Sequence, residues 1–383
     1  MAILAFIPVL LALVLTPLTA RAMAALGLVD RPDSPRKIHS GPIPRGGGLA
    51  VAIAYIATLW LSGAEFGAVW NLLPAAGLVF LVGIADDLCD LQPWQKLAGQ
   101  IVAAGMACSS GLLGGAISWW MIPLAMLWLL ACCNGFNLID GMDGLAAGAG
   151  VLASLAIAIS AMIAGNTMLA SADLPLAGEL AGFLCFNFSP AKIFLGDSGS
   201  LLIGFLLGCF GILRLEKHAT AAGLSVPLIA LALPLGDAAL TVVRRAMGRR
   251  PIFVADRGHI HHRLLDRVHS SRKAALVLYG FCGLAGALSV AAGFAGSMAV
   301  SGLLAGLLCA GGVAGARSLG VMRRGRRETA LQRSISHVRM AASGIPTLIA
   351  DDVRWRAAAR RVTARSPRSV RRGDWMDITG VPE

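Results

Sequence analysis

Long apolar runs separated by short polar clusters recur along almost the whole chain. Each run approaches the ~20 residues that a helix needs to cross a bilayer. The pattern predicts eleven spans, at 2–20, 46–62, 66–85, 97–114, 117–133, 145–164, 174–187, 199–214, 224–243, 274–293 and 296–315. None shows the two-residue alternation of a barrel strand, and lipid admits only helices or closed barrels. The predicted fold is therefore all-α, a polytopic membrane bundle of 10–11 transmembrane helices. The seventh run is short and polar for a span. The first has no positive charge ahead of it and Arg21 behind it, the wrong polarity for a cleaved signal peptide. It is read as a first helix with its N-terminus outside.

Composition sharpens this picture. The 383 residues are 56% hydrophobic and 14% charged, against about 25% charged in soluble domains. Mean hydropathy is +0.72. Of the 33 Lys and Arg, only Arg214 and Lys217 fall on one side of the predicted bilayer. The rest occupy the other side, which the positive-inside rule makes cytoplasmic. The net charge of +12 thus follows from topology and attraction to anionic membrane lipids, and needs no nucleic acid. Of the eight Cys, Cys132 and Cys133 are adjacent rather than CxxC; all are read as small packing residues. Two regions are expected: a membrane domain over 1–315 with its chemistry in cytoplasmic loops, and a basic, partly disordered cytoplasmic tail over 316–383.

Five polar clusters lie in the inner loops 21–45, 86–96, 134–144, 188–198 and 244–273. "GIADDLCD" ends an apolar run with Asp86 and Asp87. Neighbours on a helix point about 100° apart, yet two adjacent anions repel and oppose the macrodipole at a helix C-terminus. A divalent cation, or Lys96, would relieve this. "NGFNLIDGMDGLAAG" repeats Asn134, Asn137, Asp140 and Asp143 every three residues. These suit a cation, a sugar or a base, and suit a capped turn equally well. In "FNFSPAKIFLGDSGSLLIGF", Asp197 stands in a glycine turn before an apolar run. It reads as a helix cap or as a hard oxygen ligand for Mg2+; Phe194 could stack on a flat ring and Lys192 could meet phosphate. "RRPIFVADRGHIHHRLLDRVH" crowds His259, His261 and His262 among Arg249, Arg250, Arg257, Arg263 and Arg267, donors that suit phosphate better than zinc. Arg36, Lys37, His39 and Arg45 in "RPDSPRKIHSGPIPRGGGLA" form a further phosphate-binding set or an ordinary basic loop. One reading uses all five: phosphoryl transfer between a soluble nucleotide donor and a lipid phosphate, achieved by positioning and charge neutralisation.

The motifs "ADD", "NGFNLIDGMDGLAAG", "NFSPAKIFLGDSGSLLIGF" and "DRGHIHHRLL", in this order, with "RKIHSGPIPRGGGLA" ahead of them, resemble the polyprenyl-phosphate N-acetylhexosamine-1-phosphate transferases, glycosyltransferase family 4. That superfamily includes phospho-MurNAc-pentapeptide translocase and the eukaryotic dolichyl-phosphate GlcNAc-1-phosphate transferase. The resemblance covers about residues 1–315 and excludes the tail. It implies a multi-pass enzyme of the bacterial inner membrane, with its active site on the cytoplasmic face and Mg2+ (Mn2+ as a substitute) as cofactor. Its partners would be undecaprenyl phosphate, a UDP-N-acetylhexosamine and a second copy in a homodimer. The enzyme would move a sugar-1-phosphate, GlcNAc-1-phosphate first among the options, onto undecaprenyl phosphate, release UMP and start a lipid-linked surface glycan such as O-antigen or another cell-wall polysaccharide.

The resemblance also implies roles. Asp197 is the principal metal ligand, with Asn137 beside it, and Asp86 and Asp87 are the catalytic pair near the lipid phosphate. Lys96 and Asn137 would contact the diphosphate; Phe194, Asn187 and Asp143 would hold the uridine. His259, a catalytic candidate, would face the sugar-phosphate end with His261, His262 and Arg257. Asp140 would support the site and Arg45 would meet phosphate. "HIHHRLL" looks like the branch using UDP-GlcNAc or related sugars, which disfavours phospho-MurNAc-pentapeptide. CDP-alcohol phosphotransferases need an Ala-Arg pair after Asp-Gly, where this chain has Ala146-Ala147-Gly148. A transporter would carry its acids mid-span, and only Asp237 is read there.

Overall fold

The computed structural model describes residues 2–30, 41–62, 67–112, 119–216, 221–248 and 258–321. The basic segment 31–40, Arg257 and the tail from 322 lie outside the described residues. Thirteen α-helices are present among the described residues. In order they are α1 (Ala2–Ala25), α2 (Gly47–Leu61), α3 (Ala68–Cys89), α4 (Pro93–Ala107), α5 (Ile122–Ile139), α6 (Leu145–Ile163), α7 (Thr167–Asn187), α8 (Gly196–Glu216), α9 (Ala221–Ala230), α10 (Ala232–Met247), α11 (Ile260–Val268), α12 (Ser271–Ala295) and α13 (Met298–Ser318). Between α1 and α2, two short strands, β1 (Val29–Asp30) and β2 (Ile43–Pro44), pair antiparallel. Eight helices are long and apolar enough to cross a membrane, and the bent pair α9–α10 adds a ninth. With the shorter apolar helix α2 and the less apolar α4, each predicted span coincides with helix over its described residues.

Two spans differ from the sequence reading. The seventh begins at Thr167, capped by Asn166, whose side-chain oxygen accepts the Leu169 N–H at 3.2 Å. The predicted span starts just past Asp173, an acid that the helix buries completely, as it does Glu179. Asp173 is held by the Ser154 hydroxyl of α6 at 2.6 Å. The expectation that Asp237 alone is an acid within an apolar run therefore does not hold. The ninth span is broken by a 79° bend at Leu231. Pro234 cannot donate to the carbonyl one turn back, and its ring crowds that carbonyl.

α8 is the central helix, packed by α3, α5, α2 and α6, and 89% of its span is buried. Lipid tails give helices no hydrophobic reason to associate, so close packing of small residues substitutes. α6, rich in Ala and Gly, accordingly packs against α7 and α12. α13 is 11% buried and presents Leu303 and Leu307 outward, as a helix solvated by lipid does. The ends of α3, α5 and α7 and the starts of α2 and α8 meet at one end of the bundle, joined by α11.

Candidate active site

The site is built around the start of α8. Gly196 adopts φ +80°, a left-handed turn that L side chains resist, and it brings Asp197 into the first turn. α3 approaches this turn at Gly83, where a Cβ would lie 2.3 Å from the Ser198 Cα. The absence of a side chain there lets the end of α3 reach the end of α8.

The adjacent carboxylates of α3 then diverge. Asp87 turns to α8 and accepts the Asp197 N–H at 2.9 Å and the Ser198 N–H at 3.0 Å. It thus satisfies two of the backbone donors that every helix N-terminus leaves open. Asp86 turns to α4. Its Oδ1 accepts the Leu91 N–H at 2.8 Å, and its Oδ2 accepts from Lys96 at 2.6 Å. The Lys96 ammonium also donates to Asp197 Oδ2 at 2.5 Å. Asn137, near the end of α5, donates to Asp197 Oδ1 at 2.9 Å and to Ser200 Oγ at 3.1 Å. Three helix ends are therefore tied together at Asp197. Burial pulls the Lys96 pKa down, but the charges and hydrogen bonds of Asp197 and Asp86 outweigh it and hold the ammonium above its ordinary range.

Asp197 opens onto a cavity of about 620 Å³ lined by Arg45, Asp87, Asp140, Asp143, Asn187, Phe194 and His262, among others. Its volume is in the range of small-molecule sites. Asp86, Lys96 and Asn137 are not among the lining residues and stand behind Asp197. A smaller cavity of about 260 Å³, walled mainly by Met23, Leu28, Leu49, Ile84 and Leu88, shares Arg45 and Asp87 with the first. Arg45 is ion-paired with Asp30, so β1 and β2 hold it in place.

Two of the expected substrate residues also fasten the loop after α7. Asp143 accepts the Ala191 N–H at 3.2 Å, and Asn187 donates to the Ile193 carbonyl at 2.9 Å. Enclosure of the Asp140 carboxyl, reinforced by Asp197, Asp87 and Asp143, raises its pKa well above the ordinary value. The histidine segment does adjoin the 134–144 loop: a Cβ at Gly141 would lie 2.8 Å from His261 Nε2. The three histidines differ in placement. His262 lines the large cavity. His261 is 2% exposed, and burial, with His262 adding to it and Asp237 opposing, depresses its pKa to about 3. His259 is 6% exposed, with Nδ1 3.1 Å from Asp237 Oδ2. The sequence shows Asp237 only as an acid within an apolar run. The helical spacing that turns it toward the histidines is visible in sequence, but the bend that puts α10 beside them is not.

Both Asp197 carboxylate oxygens accept from N–H donors, so a hard cation held here would take the place of the Lys96 ammonium. The Lys96 ammonium already lies between two carboxylates, and the Asn137 amide adjoins both Asp197 and Ser200. Among the described residues, no group of three or more His, Cys, Asp or Glu could cage a metal. One or two carboxylates with room for phosphate and water is the arrangement Mg2+ favours.

Fold and site together define a polytopic helical membrane protein with a carboxylate–lysine–amide centre beside a nucleotide-sized cavity. Residues 69–214 match the family described as Glycosyl transferase family 4. The chain is 37% identical over 290 residues to the probable undecaprenyl-phosphate N-acetylglucosaminyl 1-phosphate transferase of Bacillus subtilis (strain 168), covering 72% of this chain and 81% of that one. It is 34% identical over 292 residues to the decaprenyl-phosphate N-acetylglucosaminephosphotransferase of Mycolicibacterium smegmatis, covering 65% of this chain and 71% of that one. It is 30% identical over 293 residues to the phospho-N-acetylmuramoyl-pentapeptide-transferase of Lactiplantibacillus plantarum, covering 69% of this chain and 89% of that one. The chain belongs to glycosyl transferase family 4.

Proposed function

We propose that the chain transfers an N-acetylhexosamine 1-phosphate, GlcNAc-1-phosphate first, from a UDP-sugar to undecaprenyl phosphate and releases UMP. The observation that carries this is the Asp197 centre opening onto the 620 Å³ cavity. The names of the two N-acetylglucosaminyl relatives support the donor and acceptor classes. The uridine lies against Phe194, with Asn187 and Asp143 fixing the loop that carries it. The diphosphate lies at Asp197, which Lys96 and Asn137 hold from behind, and the sugar end faces His262. The acceptor phosphate lies at Arg45 and Asp87, the side chains common to both cavities. An acceptor phosphate oxygen then forms a bond to the sugar-bearing phosphorus. The bond from that phosphorus to the bridging oxygen breaks, and UMP departs with that oxygen.

Asp197 with Asn137 would hold Mg2+, which supplies charge neutralisation on the phosphates. Asp87, fixed by two backbone N–H groups, presents a rigid carboxylate edge to the acceptor. Asp86 anchors Lys96 from behind. The excess of Lys and Arg in the loops at this face supports a cytoplasmic active site in a bacterial inner membrane. The test is UMP release by purified protein with undecaprenyl phosphate, Mg2+ and a panel of UDP-HexNAc donors. Asp197→Ala is expected to abolish release in a protein that still folds, with a lower unfolding temperature because the Lys96 and Asn137 bonds are lost; wild-type turnover in that variant overturns the assignment of the centre.

A further inference from the structure

α10 starts beyond the break at Leu231, and three of its side chains, at one-turn spacing, reach the same stretch of chain. Asp237 Oδ1 accepts the Ile260 N–H at 2.9 Å, and its Oδ2 lies 3.1 Å from His259 Nδ1. The Thr241 hydroxyl lies 3.3 Å from the same nitrogen, and Arg244 donates to the Gly258 carbonyl. Asp237 is 1% exposed. The opposite face of α10 shows Val242, Val243 and Met247 outward, so the three residues form the polar stripe of an amphipathic helix turned inward. An ionised carboxylate can only accept. The His259 proton therefore sits on Nδ1, which leaves Nε2 as an acceptor.

We propose that Asp237 is a positioning residue for the transfer: it holds His259 in the Nδ1–H tautomer and, through Ile260, sets the start of α11, which carries His262 to the cavity wall. This rests on the transferase reading above. The simpler role, capping α11 alone, is separable from it. In Asp237→Asn the amide oxygen still accepts the Ile260 N–H, but the NH2 group faces His259 Nδ1 and drives the ring proton to Nε2. The cap survives and the tautomer is reversed.

The experiment uses full-length protein in nanodiscs with 15N-labelled histidine, the His259 resonances being identified by their loss in His259→Gln. Wild type is expected to show His259 protonated at Nδ1, and Asp237→Asn to show it at Nε2 with an unchanged unfolding temperature. In UMP release, Asp237→Asn is expected to lower kcat about 30-fold at unchanged donor KM, as loss of an orienting partner does. The double variant with His259→Gln should then be no slower than His259→Gln alone. A wild-type His259 protonated at Nε2, or losses that multiply in the double variant, overturns the proposal. Absence of UMP release from wild type with every donor would instead sink the transferase reading, while the tautomer result still judges the Asp237–His259 pairing.

Discussion

Lys96 is the cation on which the two acidic arms of the site close. Lys96→Met keeps most of the side-chain bulk and deletes the charge. Two charge-assisted hydrogen bonds go with it, at 2.6 Å to Asp86 and 2.5 Å to Asp197, each worth about 1.5–3 kcal/mol when shielded. The Lys96 side chain is 17% exposed and that of Asp197 30%, so solvent screening leaves roughly half, about 1.5–3 kcal/mol in total. The variant, stripped of divalent ions, should unfold at lower temperature. The same carboxylates are then free for a divalent cation that no longer competes with an ammonium. A gain of about 2 kcal/mol corresponds to roughly 30-fold tighter Mg2+ binding. The assay is thermal unfolding in detergent across a Mg2+ titration begun in chelator, wild type beside variant. Its expected outcome is a half-effective Mg2+ concentration about 30-fold lower in the variant, while UMP release falls because Asp197 has lost the ammonium that holds it. Identical Mg2+ dependence in the two proteins, or an unaltered unfolding temperature in chelator, refutes the reasoning.

Further outcomes follow from the same contacts. His261, held neutral with its pKa at about 3, contributes stability in full above the unfolded pKa of about 6.5 and loses it as pH falls below that. Acidification from pH 7 to 5 should therefore cost about 2 kcal/mol, and His261→Leu should remove that pH-dependent part; an equal slope in both proteins on acid unfolding would contradict this. Gly83→Ala would place a methyl 2.3 Å from the Ser198 Cα, forcing α3 away from α8 at a cost of about 1–3 kcal/mol. UMP release should fall with it although no polar group is changed, and undiminished release would show that the close approach is dispensable.

The helices and the site loops were legible in the sequence for one reason: in lipid, polar residues cluster where the chain leaves the apolar phase, so chemistry and topology mark the same positions. That is why Asp86, Asp197, Asn137 and the histidine segment could be read as one end of a bundle before any distance was known. Three features were not legible. A hydropathy window cannot distinguish a short span from a long one bearing a buried acid, so Asp173 shortens α7 in the sequence pattern. The bend before Pro234 depends on how much tertiary packing tolerates, and α10 beyond it carries Asp237 to His259. Finally, neighbouring Asp86 and Asp87 look alike in sequence, yet one anchors an ammonium and the other caps a helix. Their division of labour follows from the approach of α8, a long-range contact that local pattern does not encode.

The most enclosed helix of the bundle is also the one that begins at the metal-binding carboxylate candidate. Asp197 therefore borrows its stiffness from the protein's interior, not from the loops that surround the ligand. Loops around the cavity can lengthen, shorten or exchange residues while the helix that carries Asp197 stays in place.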